Sequence, residues 1–382
     1  MHTVTTANGA QGAGQPVATA GDGLPAQRGR GAGSNRAGCF EGLRRVASDE
    51  NFAYDGDARG DRDEPAPLRT TVIADSTRSI IARNVSPDLG FDRSINPYRG
   101  CEHGCVYCFA RPTHAFLGLS PGLDFESKLF VKPEAARLLE RELRRPNYEC
   151  RMMALGTNTD PYQPIERSNK ITRQILEVLA AFKHPVGIVT KSALVVRDID
   201  ILAPMAAKGL AQVMLSVTTL DRRIARRMEP RASTPGKRLE AVTALAKAGI
   251  PCGVMVAPIV PGLTDAEIES ILEAAAWAGA TRAGCILLRL PRELKELFGE
   301  WLAANEPARA HRVMSLVRQT RGGKSYEAEF GRRMRGSGPY AELIARRFTL
   351  SCRRLGLNRR PVELDTSRFR VPEPAGDQLT LL

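Results

Sequence analysis

The sequence predicts an α/β fold: a partial (β/α)6 TIM-type barrel of parallel strands, with a disordered N-terminal leader and a C-terminal helical extension. Three observations predict it. Short aliphatic or β-branched runs alternate six times with helical patterns, which implies parallel strands with helices outside them. Gly209, Gly249 and Gly279 stand where helices should stop, and Pro133, Pro235 and Pro291 stand near first-turn positions. Six units are too few to close an eightfold barrel. A doubly wound open sheet has the same periodicity, so the alternation alone leaves that architecture open.

The elements follow in order. Residues 1–65 are rich in Gly, Ala, Ser, Asp and Arg and lack aliphatic periodicity. Such a stretch buries too little surface to offset its ordering entropy, so it reads as a disordered leader. Residues 66–95 read as an extended lead-in covering one edge of a core that runs over 66–307. Strands are expected around Ile95–Tyr98 and at Met152–Leu155, Val186–Thr190, Gln212–Val217, Cys252–Ala257 and Cys285–Leu288. Helices are expected at Glu134–Arg145, Asn169–Phe182, Asp198–Lys208, Lys237–Ala248, Asp265–Ala278 and Arg292–Asn305, with Asp265 able to cap. Residues 308–382 read as a C-terminal extension, with helices to about Leu357 and then an irregular tail holding Pro361, Pro372 and Pro374.

Composition bounds the function. The chain has 382 residues, 43% of them hydrophobic, enough for a sizeable core. No apolar run reaches the length of a membrane span, and no signal pattern opens the chain, so a cytoplasmic protein without membrane contact is expected. A reducing compartment suits Cys39, Cys150, Cys252, Cys285 and Cys352 as unpaired thiols. The net charge is +13, and residues 1–65 hold 7 basic against 9 acidic side chains, so the surplus lies in the folded body. A basic body attracts polyanions such as nucleic acid, or its arginines simply solvate the surface. Aromatic residues are only 5%, and no stacking platform for bases is evident.

The chemistry concentrates in Asn96-Pro97-Tyr98-Arg99-Gly100-Cys101-Glu102-His103-Gly104-Cys105-Val106-Tyr107-Cys108-Phe109. Cys101, Cys105 and Cys108 are spaced C-x3-C-x2-C, with no fourth cysteine close by. Four-iron clusters normally take four cysteines. Three leave one iron with an open position, which is what separates a catalytic metal site from a structural one. A Cys3His zinc site using His103 or His114 is the competing reading of the same residues.

This motif, with an aromatic residue before its last cysteine, resembles the signature of the radical S-adenosylmethionine (SAM) enzymes. The wider stretch is similar to the branch related to spore photoproduct lyase, over about Ala74 to Leu357. The resemblance implies a [4Fe-4S] cluster on Cys101, Cys105 and Cys108, with SAM chelating the open iron. It implies reductive cleavage of SAM to a 5′-deoxyadenosyl radical that takes hydrogen from a substrate. An external electron donor of the flavodoxin or ferredoxin kind follows from it.

In parallel barrels, reactive groups gather at the carboxyl ends of the strands. By resemblance, Thr159 in Gly156-Thr157-Asn158-Thr159-Asp160-Pro161-Tyr162 is the candidate for the SAM amino group, although those residue types also build ordinary turns. Lys191, after the third strand, inherits the pairing with the SAM carboxylate. Ser216, after the fourth, matches a ribose-binding hydroxyl. Phe109 is placed against the adenosine side, and Tyr107 offers its backbone to adenine or fills the core. The related lyase returns a hydrogen atom from a cysteine near the end of its second strand. Here Gly156, Thr157 and Asn158 stand there, and Cys150 lies at that strand's start.

The run Gly331-Arg332-Arg333-Met334-Arg335-Gly336-Ser337-Gly338-Pro339-Tyr340 reads as a substrate phosphate site or a loop between helices. It lacks P-loop spacing. The expected function is a radical SAM enzyme of unknown substrate, a nucleic acid or nucleotide among the options. A non-catalytic iron–sulfur protein or a zinc-stabilised nucleic-acid binder is the alternative.

Overall fold

The computed structural model describes residues 29–40 and 68–373. Ten strands form among these residues: β1 Thr71–Ala74, β2 Ile81–Arg83, β3 Arg93–Ile95, β4 Tyr98–Arg99, β5 Lys128–Val131, β6 Met153–Leu155, β7 Val186–Thr190, β8 Ala211–Ser216, β9 Cys252–Ile259 and β10 Arg282–Leu287. Seven of them build one sheet in the order β10-β9-β8-β7-β6-β3-β2. β3 and β6 to β10 pair in parallel, and β2 closes the edge antiparallel to β3. A small second sheet has the order β1-β5-β4.

Strand order decides between the two architectures the periodicity left open. A doubly wound sheet reverses direction at a switch point. Here the parallel strands lie side by side in chain order. Right-handed crossovers all stepping the same way put their helices on one face. The sheet is therefore a partial barrel, and its edge strands β10 and β2 do not pair with each other. Register lines up Ile95, Leu155, Ile188 and Val213 across four strands, each at most 1% exposed. Strands covered on both faces read as near-continuous aliphatic runs, which is why β6, β7 and β8 were visible in the sequence.

Among the described residues, eleven α-helices accompany the strands: α1 Leu123–Ser127, α2 Ala135–Leu143, α3 Glu166–Asn169, α4 Ile171–Ala181, α5 Ile199–Ala206, α6 Arg222–Met228, α7 Pro235–Lys247, α8 Ile268–Trp277, α9 Leu294–Asn305, α10 Pro307–Gln319 and α11 Pro339–Leu355. Local chemistry sets several ends. Asp221 caps α6 by accepting from Arg223 N and Ile224 N, and Thr234 caps α7 with Pro235 as its first residue. Asp265 does not cap α8. Its carboxylate accepts from Gly262 N at 2.9 Å and from the Tyr340 hydroxyl of α11. That bond, with Arg347 bidentate on Glu269, docks the C-terminal helices on the barrel.

Two expectations need correction. The first strand, expected as Ile95–Tyr98, divides into β3 and β4, which belong to different sheets. Pro97 lies between them and has no N–H for a ladder. The leader expected to be disordered over residues 1–65 contains a packed stretch, residues 29–40. Gly31 N and Ala32 N donate to the Glu126 carboxylate at 2.8 Å each, and Arg36 Nε donates to Glu300 at 2.8 Å. Residues 1–28, 41–67 and 374–382 lie outside the described residues.

Candidate functional site

The cysteine loop leaves β4 at the carboxyl-end face of the barrel. Gly100 and Gly104 adopt φ of 76° and 68°, and a Cβ on Gly100 would sit 2.8 Å from Phe125 O. Three buried side chains hold the loop. Gln163 accepts from Glu102 N at 2.9 Å and donates to Gly100 O at 3.3 Å. Arg111 donates to Cys105 O at 2.9 Å and Gly104 O at 3.2 Å, and it is ion-paired to Glu126. Glu126 in turn binds the 29–40 strap, so strap and loop share one anchor.

Cys101 and Cys105 are buried and Cys108 is half-buried. Burial pushes the Cys101 thiol well up, and the neighbouring charges of Asp160, Cys105 and Cys108 add to it. Burial pushes Cys105 up as well, against the pull of the Lys191 ammonium. Two buried thiols penalised as thiolates, Cys101 and Cys105, with Cys108 beside them, suit a cationic metal partner, since a coordinating thiol is deprotonated outright. The other described cysteines stand apart. Cys39 is exposed, with Arg292 Nη1 2.7 Å from its sulfur. Among the described residues, no three His, Cys, Asp or Glu side chains gather closely enough for a single metal ion. Three thiols with no fourth cysteine close in sequence are the donor set of a cubane that keeps one iron open.

The strand ends complete the site. Lys191 follows β7, and its Nζ lies 5.6 Å from the centroid of the Tyr107 ring, beside Cys105. Tyr107 is buried, donates to Glu229 and shares a 3.2 Å hydrogen bond with Thr218. Ser216 ends β8, is 4% exposed, and its carbonyl accepts from Arg238 at 2.9 Å. Thr159 is buried, donates to Tyr98 O at 3.3 Å, and lines a cleft of about 270 Å³ with Asn96, Asn158 and Lys132. Phe109 is 45% exposed, with the Arg289 guanidinium carbon 5.1 Å from its ring centroid. The structure thus groups the cysteines, Tyr107 and Lys191, sets Ser216 at the neighbouring strand end, and turns Phe109 outward.

Sequence reasoning missed two acidic organisers. Asp160 accepts from Thr190 Oγ1 at 2.6 Å, Lys191 N at 2.7 Å and Tyr162 N at 2.9 Å, and it lies 3.4 Å from His103 Nδ1. Burial opposes its ionisation, but His103 and these donors outweigh burial and hold its carboxyl at about 2. It ties the ends of β6 and β7 to the cysteine loop. Glu229, 3% exposed, accepts from Tyr107, Thr218 and Arg238. The basic run at 331–340 behaves as a latch. Asp88 accepts from Gly331 N at 2.6 Å and from Arg333 at 2.5 Å, so an internal carboxylate occupies the anion position.

Comparison with known proteins bears on family and fold. Residues 95–275 match the family model of the radical SAM superfamily. An uncharacterized protein of Mycobacterium tuberculosis (strain H37Rv) is 40% identical over 233 residues, 60% of this chain and 68% of that one. One from Methanocaldococcus jannaschii is 29% identical over 45% of this chain and 62% of its own. Among solved structures, spore photoproduct lyase complexed with dinucleoside spore photoproduct superposes with a TM-score of 0.54 at 17% identity, over 75% of this chain and 80% of that one. A mutant of that lyase with bound AdoMet and the dinucleoside photoproduct gives 0.52 at 17% identity over the same shares. At such identities the likeness is one of fold.

Proposed function

Because this chain belongs to the radical SAM superfamily, we propose that Cys101, Cys105 and Cys108 hold a [4Fe-4S] cluster with one iron left open, and that the enzyme reductively cleaves SAM there. The observation that carries this reading is the thiol triplet, Cys101 and Cys105 buried and Cys108 half-buried, without a fourth cysteine beside it among the described residues, at the carboxyl ends of parallel strands. Held by Cys101, Cys105 and Cys108, a reduced cluster would pass one electron to the sulfonium of SAM, the chemistry that yields methionine and a 5′-deoxyadenosyl radical able to take hydrogen from substrate.

The chain's own residues bind, orient and exclude water. The Lys191 ammonium, set beside Cys105 and over Tyr107, offers a point charge to an amino-acid carboxylate. Thr159, after β6, and Ser216, at the end of β8, offer hydroxyls on either side of β7. The apolar cluster that joins Cys105, Val106 and Tyr107 to Val260, Leu288 and Leu294 keeps water from this side of the loop. The electron enters from an external donor of the flavodoxin or ferredoxin kind.

The reaction on substrate departs from that of the lyase. Cys150 precedes β6, at the amino end of the sheet, away from the cysteine loop. At the carboxyl end, Gly156 has φ 90° and a Cβ there would sit 1.9 Å from Val189 O, so no side chain fits. A hydrogen atom returned by a cysteine at that position is excluded from the proposed mechanism.

The test is anaerobic reconstitution with iron and sulfide, metal analysis, then dithionite with SAM and chromatography for 5′-deoxyadenosine. Wild type should bind about four irons and form the nucleoside. Cys105→Ala should lose both. Stoichiometric zinc in place of iron, or no 5′-deoxyadenosine from iron-loaded protein, would refute the proposal.

A further inference from the structure

The turn between β10 and α9 carries charged atoms that nothing among the described residues satisfies. Both carboxylate oxygens of Glu293 are sealed from solvent and lack a hydrogen-bond partner, and so is Nε of Arg289. A buried acceptor or donor left unpaired costs free energy that a native fold seldom leaves unrecovered. Arg93, His114 and Arg321 each strand a single nitrogen while their other polar atoms are bonded. Glu293 strands a whole carboxylate.

Position separates this turn from an ordinary packing fault. It follows the last parallel strand at the carboxyl-end face, where barrels of this kind collect ligand contacts. Leu288, Leu290 and Leu294 of the same turn pack in the cluster that contains Cys105, Val106 and Tyr107. Arg289 lies over Phe109, the residue after Cys108. Between the two stranded groups Arg292 takes φ 51°, a backbone state uncommon for a residue with a side chain.

We propose that Arg289 and Glu293 form a substrate subsite beside the cysteine loop, and that it takes a polyhydroxylated anion. The carboxylate oxygens call for hydroxyl or ammonium donors, and the guanidinium calls for an anionic group. Arg321, which donates to Leu288 O at 2.6 Å at the same strand end, makes the surroundings basic and selects against an ammonium ligand. Hydroxyls on Glu293 and a phosphate or carboxylate on Arg289 satisfy every stranded atom of the turn. The subsite rests on the cluster reading only for its place beside a reacting centre.

The test uses full-length reconstituted protein and its unfolding midpoint. Glu293→Met removes the stranded acceptors at similar volume, so the ligand-free midpoint should rise by roughly 2 °C or more. Ribose 5-phosphate or gluconate should raise the wild-type midpoint, and that rise should vanish in Glu293→Met and Arg289→Gln. Protection by the first alone assigns a phosphate, and by the second alone a carboxylate. An unchanged or lower midpoint in Glu293→Met means the carboxylate is structural and overturns the proposal. Failure of both polyols to protect wild type, beyond what inorganic phosphate does, also overturns it. So does a loss of SAM affinity in Glu293→Met, which would hand the turn to the cofactor. Iron is measured in the same samples, so an iron-free wild type contradicts the cluster reading while the midpoints still decide the subsite.

Discussion

Asp160 shows how one residue can organise this site. Its two oxygens gather donors from β7, from its own turn and from His103 of the cysteine loop. The sequence displayed it inside Thr157-Asn158-Thr159-Asp160-Pro161, where every residue type also suits a plain turn. The cysteines were legible because spacing alone constrains a chelating loop. Glu229 and Arg238 were not, because a buried ion pair between residues nine apart leaves no periodic mark. Lys191 lay between these cases: a lysine at a strand end stood out, but only the fold sets it over Tyr107. Replacing it with alanine should weaken SAM binding by about 10- to 100-fold, the worth of one charge-assisted hydrogen bond, in equilibrium dialysis of the reconstituted protein. Unaltered affinity would remove Lys191 from the cofactor's partners. Arg111 and Glu126 are both fully buried. Glu126→Gln leaves a guanidinium without its counter-charge and should cost about 3–5 kcal/mol in urea unfolding. A loss below about 1 kcal/mol would mean that water or another acid already shares the charge.

Among the elements, β6 to β9 were readable because each is a largely aliphatic run with most of its residues buried, whereas β3, Arg93-Ser94-Ile95, is no such run and its start was missed. The small sheet β1-β5-β4 was not. β4 is two residues long, and Val72 and Ile73 of β1 are 46% and 39% exposed, so neither shows an alternation to detect. The 29–40 strap escaped notice for a related reason. It binds through backbone N–H groups and polar side chains such as Arg30 and Arg36, which leave no hydrophobic pattern. Its fit is tight: a Cβ on Gly31 would lie 1.7 Å from Gly104 O, a backbone atom that no rotamer change can move. Gly31→Ala should therefore lift the strap and break its bonds to Glu126. Proteolysis within residues 29–40 should accelerate about tenfold or more, as expected from losing two hydrogen bonds to a carboxylate. An unchanged cleavage rate would show that the strap is held by its Arg36 end alone.

Over the whole molecule, the C-terminal extension does more than lengthen the chain. Met334 O accepts from Leu287 N of β10 at 2.9 Å, and Arg333 reaches Asp88 in the turn before β3, so the 331–336 loop bridges the two unpaired edges of the barrel. No helix among the described residues is long and apolar enough to cross a membrane. Below the sheet, the irregular tail packs Phe369 on Phe182, Tyr148 and His184. His184 is fully buried, with Nδ1 3.0 Å from Pro185 O and Nε2 2.8 Å from the Tyr148 hydroxyl, an arrangement for the neutral ring. Burial, with Arg93 nearby, holds its pKa down from 6.5 to about 4. The unfolded chain therefore takes up a proton first as pH falls. Stability from this residue is intact above pH 6.5, declines toward about pH 4, and totals about 3 kcal/mol. Urea midpoints across that range should fall in wild type and fall less in His184→Gln; equal slopes would contradict the assignment.

The most direct test of the central claim is Mössbauer spectroscopy of anaerobic, iron-57-loaded protein with and without SAM. The account predicts a four-iron cluster in which one iron changes its parameters when SAM is added while three stay as they were. Four irons indifferent to SAM, or a protein that retains no iron, would contradict it.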